Sequence, residues 1–331
     1  EVEFNPSSRQ MIADRLIKKY KWKPEKLTPT GLPMIDEEIL DELNFVEAPL
    51  LKKYFLITKT LGQLADGKNA WLKLIAPDGA IHGKVDTIGA VTGRCTHNNP
   101  NLAQVPSVGG YMGKECRELF SPRKGYKLVG TDASGLELRC LAHYMNDPDY
   151  THEILNGDIH AKNQQAAGLP TRSNAKTFIY GFLYGAGDAK IGSITGKGAK
   201  AGKALRTKFL ASLPKLKRLS EGVKQKIQTK GFLKGIDGRK LKAREAYKGL
   251  NVLLQSAGAI VMKKALCILV DDIEAKKWKI GEDIAFVLNV HDEYQAEVKP
   301  DLEEEYKTMA VDAIRKAGDY FGFRCPLDGE A

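Results

Sequence analysis

The run Val290-His291-Asp292-Glu293-Tyr294 constrains the fold of this 331-residue chain more than any other stretch. A β-type run, Ile284–Leu288, precedes it and a short alternating run, Gln295–Val298, follows it, so the pattern predicts a β-hairpin with two acids at its tip. Adjacent carboxylates are poor material for a core and good ligands for a hard cation. A second strand, Tyr126–Gly130, leads into Thr131-Asp132-Ala133-Ser134 and also ends on an acid. Brought together, two such strand ends can hold a pair of divalent cations. Taken alone, a strand-ending Asp also serves as a helix N-cap, and an acid at a turn can simply be solvated.

The rest of the chain alternates between helical spacing and breakers. Helices are expected at Arg9–Tyr20, Ile35–Leu43 and Pro49–Asp66, with Pro24, Pro29 and Pro33 in the first gap. Residues 76 to 110 are rich in Gly, Asn and Pro. Leu136, Cys140 and Tyr144 share one side of a helix over Leu136–Tyr144, and residues 150 to 230 read as mainly helical. Thr171 can cap a helix that runs to about Gly185. Gly235–Lys242 has the character of a turn flanked by strand, and Glu303–Gly318 is a last amphipathic helix. The longest apolar stretch, Leu253 to Val270, contains Gln255, Lys263 and Lys264, which suits a buried helix over Lys248–Val270 better than a membrane span. Strands at both ends of a helical insertion predict an α+β platform.

Charge is unevenly distributed. The chain carries a net +10, yet between Lys190 and Arg244 there are 17 Lys or Arg against two acids, Glu221 and Asp237. A basic segment on a mildly acidic remainder fits a polyanion partner such as nucleic acid better than the alternative of a solvated helical face. The five cysteines, Cys95, Cys116, Cys140, Cys267 and Cys325, are widely spaced and odd in number, which predicts neither a disulfide framework nor a zinc site and suits a reducing compartment.

Two further sets of residues have chemical meaning. Arg172, Lys176, Tyr180 and Tyr184 recur every four residues along one helix face. A guanidinium followed one turn later by an ammonium makes a clamp for a polyphosphate, and a tyrosine one turn further offers a flat surface for a sugar or base. His160 can add a phosphate contact. Phe178, Ile179, Phe182 and Leu183 already supply an apolar face, which leaves the polar row without a core duty. The second set is Gly93-Arg94, Asn101 and Gln104, with Asn251 and Gln255 on a later helix; Arg, Asn and Gln reach the acceptors common to all pairs in a duplex minor groove.

These stretches together resemble family A (Pol I-type) DNA polymerases. Thr131-Asp132-Ala133-Ser134-Gly135-Leu136-Glu137-Leu138-Arg139 resembles motif A, Arg172-x-x-x-Lys176-x-x-x-Tyr180-Gly181 motif B, and Val290-His291-Asp292-Glu293 motif C. Thr92-Gly93-Arg94 with Asn101–Pro106 resembles the upstream DNA-contact motif, and Leu253-Leu254-Gln255-Ser256-Ala257-Gly258 the helix that tracks the primer. The long runs Asp132–His143 and Ala175–Gly187 are similar to the thioredoxin-dependent replicases of T-odd podophages. The motifs occur in family order from about Asn5 to the C-terminus.

The resemblance implies a right-hand architecture with an antiparallel-sheet palm, a helical fingers insertion and a partial thumb. It divides the chain into 1–75 (end of thumb and linking helices), 76–140 (palm with motif A), 141–235 (fingers with motif B) and 236–331 (palm with motif C). Asp132, Asp292 and Glu293 would be catalytic, with Asp132, Asp292 and the Ala133 carbonyl as ligands of two Mg²⁺ ions, Mn²⁺ substituting. His160, Arg172, Lys176, Tyr180 and Glu137 would hold the nucleotide, Glu137 by excluding a ribose 2′-hydroxyl. Arg94, Asn101, Gln104, Gly181, Tyr184, Asn251, Gln255 and His291 would contact DNA. The implied partners are primer–template DNA, dNTPs and, for a full-length protein, host thioredoxin through a thumb insertion; no membrane is expected. The implied setting is phage DNA replication in the cytoplasm of an infected bacterium. No exonuclease domain is expected within this chain, whose resemblance starts at the thumb's end and stops at Ala331, short of the family's terminus. A single-subunit RNA polymerase, against which Glu137 speaks, and a non-catalytic nucleic-acid-binding remnant, against which Asp132, Lys176 and Asp292 speak, are the alternatives.

Overall fold

The computed structural model describes residues 3–331. The chain forms two compact units: one comprises the segment up to Lys84 together with His97–Phe120, the other Val85–Thr96 together with Ser121–Ala331.

In the first unit, α1 (Arg9–Tyr20), α2 (Glu37–Glu42) and α3 (Ala48–Leu61) surround a small core of Ile12, Leu16, Ile35, Leu40, Leu51 and Phe55. Ser8 caps α1 by accepting from the Met11 N–H, and Asp36 caps α2 by accepting from Ile39. The helix expected over Pro49–Asp66 loosens into a single π-turn at Gly62–Asp66. A short helix, α4 (Gly113–Glu118), had no predicted counterpart.

A two-stranded ribbon pairs β1 (Lys84–Asp86) with β2 (Thr96–Asn98). The second unit is built on β3 (Lys127–Ala133). After β3 come helices α5 (Leu136–Met145), α6 (Pro148–Asn156), α7 (Ile159–Ala167), α8 (Arg172–Leu183), α9 (Asp188–Ser193), α10 (Ala199–Ser212) and α11 (Pro214–Lys230). A small hairpin follows, β4 (Leu233–Lys234) with β5 (Lys240–Leu241), then α12 (Gly249–Ala275), the hairpin of β6 (Ile284–Val290) and β7 (Glu293–Val298), α13 (Glu303–Tyr320) and β8 (Gly329–Glu330). The main sheet is antiparallel in the order β6-β7-β3-β8, so strands from opposite ends of a helical insertion do share one platform.

Strand alternation decides which face is which. Val129, Thr131 and Ala133 of β3 are buried, while Leu128, Gly130 and Asp132 point the other way and stay accessible. The α13 helix covers the buried face, where the Tyr294 hydroxyl donates to the Ala310 carbonyl (2.8 Å). By length and composition Ala246–Ala275 is apolar enough to cross a membrane, yet most of it is buried, packed against α5, α11 and α13.

Candidate active site

Register assembles the acids. Directly opposed residues in an antiparallel pair share a face, with Cβ atoms about 5 Å apart. Asp132 lies opposite Glu293 on β7 and opposite Glu330 on β8. Three carboxylates therefore form a transverse row across β7, β3 and β8 on the accessible face. Asp292 sits beside the row in the turn after His291, which adopts a left-handed φ of 56°. Its backbone carbonyl accepts from the Ala133 N–H (3.0 Å), which ties the hairpin tip to the end of β3. Asp132 does not cap α5: the N-cap is Gly135, in a left-handed conformation, and Asp132 remains in the strand.

Like charges placed directly across strands repel. Partial desolvation of the Asp132 carboxyl and the charges of Asp292, Glu293 and Glu330 push its pKa up to about 6, although the residue as a whole is open to solvent. Glu293 is steadied by the Gln295 side-chain amide (2.7 Å), and Gly130 makes room for it: a methyl there would stand 3.0 Å from Glu293 Oε1. Hard oxygen donors crowded without a counter-ion are what a divalent cation requires. No three His, Cys, Asp or Glu side chains among the described residues converge on a single metal position. Mg²⁺ commonly takes one or two carboxylates and fills its remaining positions with water and substrate phosphate. Glu330 was missed in the sequence because a two-residue edge strand at the chain's end carries no local pattern.

The nucleotide candidates lie on α7 and α8. Thr171 caps α8 as predicted, accepting from the Asn174 N–H (3.0 Å). Arg172 and Lys176 are exposed one turn apart, and His160 stands at the start of α7 with its ring 6.3 Å from that of Tyr180. Desolvation, reinforced by Arg172 and Lys176, lowers the His160 pKa, so the imidazole is held neutral. Sequence reasoning missed Asp158. It caps α7 through the His160 and Ala161 N–H groups and accepts from Arg172 Nε (2.6 Å), and the Arg172 bond leads the effects that hold its carboxyl down at about 2. An Asp two residues before a predicted contact, at a helix start, was the available signal.

Tyr180 and Tyr184 stack in near-parallel fashion, ring centroids 6.4 Å apart. The Tyr184 hydroxyl donates to Glu137 Oε2 (2.7 Å), and Arg94 Nη2 donates to Glu137 Oε1 (3.1 Å). Glu137, nearly enclosed, thus joins Arg94 to α8. Burial raises the Tyr180 pKa, with Glu137 and Asp292 adding to the effect, which places that hydroxyl in the field of both motifs. At Gly181 an added methyl would meet nothing of this chain closer than 3.8 Å.

On α12, Asn251 and Gln255 are partly accessible among buried neighbours, and neither side chain is used in a hydrogen bond within the described chain. Asn101 and Gln104 belong to the first unit; Asn101 accepts from the Ala103 N–H and caps the turn Leu102–Gln104, and the Gln104 carbonyl accepts from Gln63. In the basic segment three cations are ion-paired, Arg206 with Asp188, Lys215 with Asp147 and Arg239 with Asp237; the other Lys and Arg residues there are exposed.

The chain is 45% identical to the "DNA-directed DNA polymerase" of Enterobacteria phage T3 and, equally, to that of Escherichia phage T7, each match covering 99% of this chain and 51% of the relative. It therefore spans about half the length of these curated relatives. Its fold matches a solved structure described as "POL domain of Pol1 from M. smegmatis complex with DNA primer-template and dNTP", with a TM-score of 0.85 at 22% identity over 99% of this chain and 60% of that one. The family model for DNA polymerase family A matches residues 1–331, and the chain belongs to that family.

Proposed function

We propose that this chain is the polymerase part of a template-directed, primer-dependent DNA polymerase, which joins a dNTP to a primer 3′-hydroxyl with release of pyrophosphate. The observation that carries the reading is the carboxylate row at the end of the main sheet, with Asp292 locked beside it by the Ala133–Asp292 backbone bond. Family A polymerases generally use divalent metals. Asp132, Asp292 and the Ala133 carbonyl would hold two Mg²⁺ ions, with Mn²⁺ as substitute, and Glu293 would support them. When bound, the ions would acidify the attacking hydroxyl and neutralise charge on the phosphates.

The chain's own residues supply position. Arg172, Lys176 and neutral His160 present donors to a triphosphate. Tyr180 gives the incoming sugar and base a flat wall, and the enclosed Glu137 narrows the space at the 2′ position. Gly181 and Tyr184 would border the templating base. Arg94, Asn251 and Gln255 would test pair geometry in the minor groove, His291 would contact the primer-terminal backbone, and Asn101 and Gln104 of the first unit would contact DNA. Holding these groups rigidly, not forming a covalent intermediate, is what accelerates such a transfer.

The segments 1–75, 76–140, 141–235 and 236–331 are read as thumb end, first palm part, fingers and second palm part. The phage relatives favour replication in the cytoplasm of an infected bacterium and speak against the RNA polymerase alternative. A thioredoxin contact in a longer form of the protein rests on the likeness of Asp132–His143 and Ala175–Gly187 to the thioredoxin-dependent branch. Primer extension with Mg²⁺ and dNTPs tests the reading. Wild type is expected to extend and Asp132→Ala to lose at least about 10³-fold in rate, the loss of a directly involved charge. Equal extension by both, or equal use of rNTPs by wild type, would refute it.

A further inference from the structure

We infer that Lys263 is a positioning residue for Arg94, and through Arg94 for the Glu137–Tyr184 pair; the inference rests on the polymerase reading of that site. On the first turns of α12, Asn251 and Gln255 are the partly accessible residues among buried ones, and Lys263, also partly accessible, comes about two turns after Gln255. A lysine that served only solubility would extend into water. Instead the Lys263 ammonium donates to two backbone carbonyls of one loop, those of Thr87 and Gly93 (2.7 Å to Gly93), and among the described residues it has no carboxylate partner.

The Gly93 carbonyl is the important one. It belongs to the same planar peptide unit as the Arg94 N–H, so a grip on that oxygen sets the plane from which Arg94 departs. Gly93 is buried with φ +81°, a conformation that a side chain adopts only under strain, and an added methyl would stand 2.5 Å from Arg239 Nη1. Arg239 is itself held by Asp237 (2.7 Å). The turn closes on itself through Gly93 N–H to the Ala90 carbonyl (2.8 Å). The loop is therefore held from two sides where Arg94 begins, and Arg94 then reaches Glu137, which reaches Tyr184. Without the ammonium, two carbonyls on the loop lose a charged donor and the peptide plane is free to turn. A charged donor's bond carries enough free energy to decide that orientation.

Lys263→Met keeps the length and apolar stem and removes all three donors; Lys263→Arg keeps charge and donors. Affinity for a primer–template duplex, read by fluorescence anisotropy, is expected to fall roughly 10-fold in Lys263→Met, as for loss of a charge-assisted hydrogen bond. Lys263→Arg is expected to recover most of it. In the Arg94→Ala background the same Lys263→Met change should alter affinity less than about twofold, because its effect runs through Arg94. Losses that multiply in the double variant, or wild-type affinity in Lys263→Met, would overturn the inference. Trypsin cleavage after Arg94 judges the loop without any activity. Faster cleavage there in Lys263→Met, with the other sites that both proteins share unchanged, supports the assignment, and an unchanged rate refutes it. Failure of wild type to bind duplex at all would count against the polymerase reading and leave this proteolytic comparison to decide the loop.

Discussion

Asp132→Asn should make the metal-free protein more stable while removing the function. In wild type the folded carboxyl has its pKa raised from an ordinary 3.8 to about 6 by partial desolvation and by Asp292, Glu293 and Glu330. Between those values the folded chain holds a proton that the unfolded chain has released, so stability falls as pH rises through that window and stays lower above it. At about 1.36 kcal/mol per pH unit the full penalty would be about 3 kcal/mol. Asp132 is open to solvent, where water and salt screen charge, so we take about 1 kcal/mol. Asparagine keeps the shape and carries no proton to lose. With unfolding entropies of about 2.1 cal/mol/K per residue, a 331-residue chain gains only about 1–2 °C. Scanning calorimetry in EDTA should show the variant melting higher than wild type at pH 8 and level with it at pH 3.5. Saturating Mg²⁺ should then reverse the order, stabilising wild type by about 2.7 kcal/mol at a hundredfold excess over Kd and leaving the variant largely unmoved. A variant less stable than wild type at pH 8 without metal would mean that Asp132 makes a stabilising contact and that the carboxylate row is not strained.

Three other outcomes follow from neighbouring contacts. Glu137→Ala releases Arg94 and Tyr184 together and opens the space beside the sugar, so ribonucleotide use relative to deoxynucleotide should rise about 10-fold or more in competition assays; an unchanged ratio would remove Glu137 from discrimination. Asp158→Asn keeps the cap on α7 but frees Arg172, so the KM for dNTP should rise about threefold with kcat nearly constant, whereas a lower KM would show that Asp158 competes with the triphosphate. Glu297, 7% exposed, accepts from the Arg123 N–H (2.8 Å) and guanidinium, and Glu297→Ala should lose about 1–3 kcal/mol in urea unfolding; no change in midpoint would mean that this buried acid contributes nothing.

How far the sequence determined this molecule can be traced residue by residue. Local signals worked where the physics is local. A β-type run placed β6 and alternation β7, apolar spacing placed α5, α12 and α13, and the Thr171 hydroxyl marked the start of α8. The four-residue rhythm by itself puts Arg172, Lys176, Tyr180 and Tyr184 on one face. The family motifs then attached chemistry to those positions, because residue types and their order are properties of the chain itself. Tertiary structure alone decided which distant groups share a field. Nothing near residue 330 announces that a two-residue edge strand sets Glu330 against Asp132, nor near residue 158 that a helix cap also holds Arg172, nor near residue 263 that a lysine grips the loop before Arg94. Such meetings depend on strand register and on helix rotation, which are set by the burial of whole faces. They have no short-range signature, and they determine how charged a carboxylate is and how firmly a guanidinium is aimed.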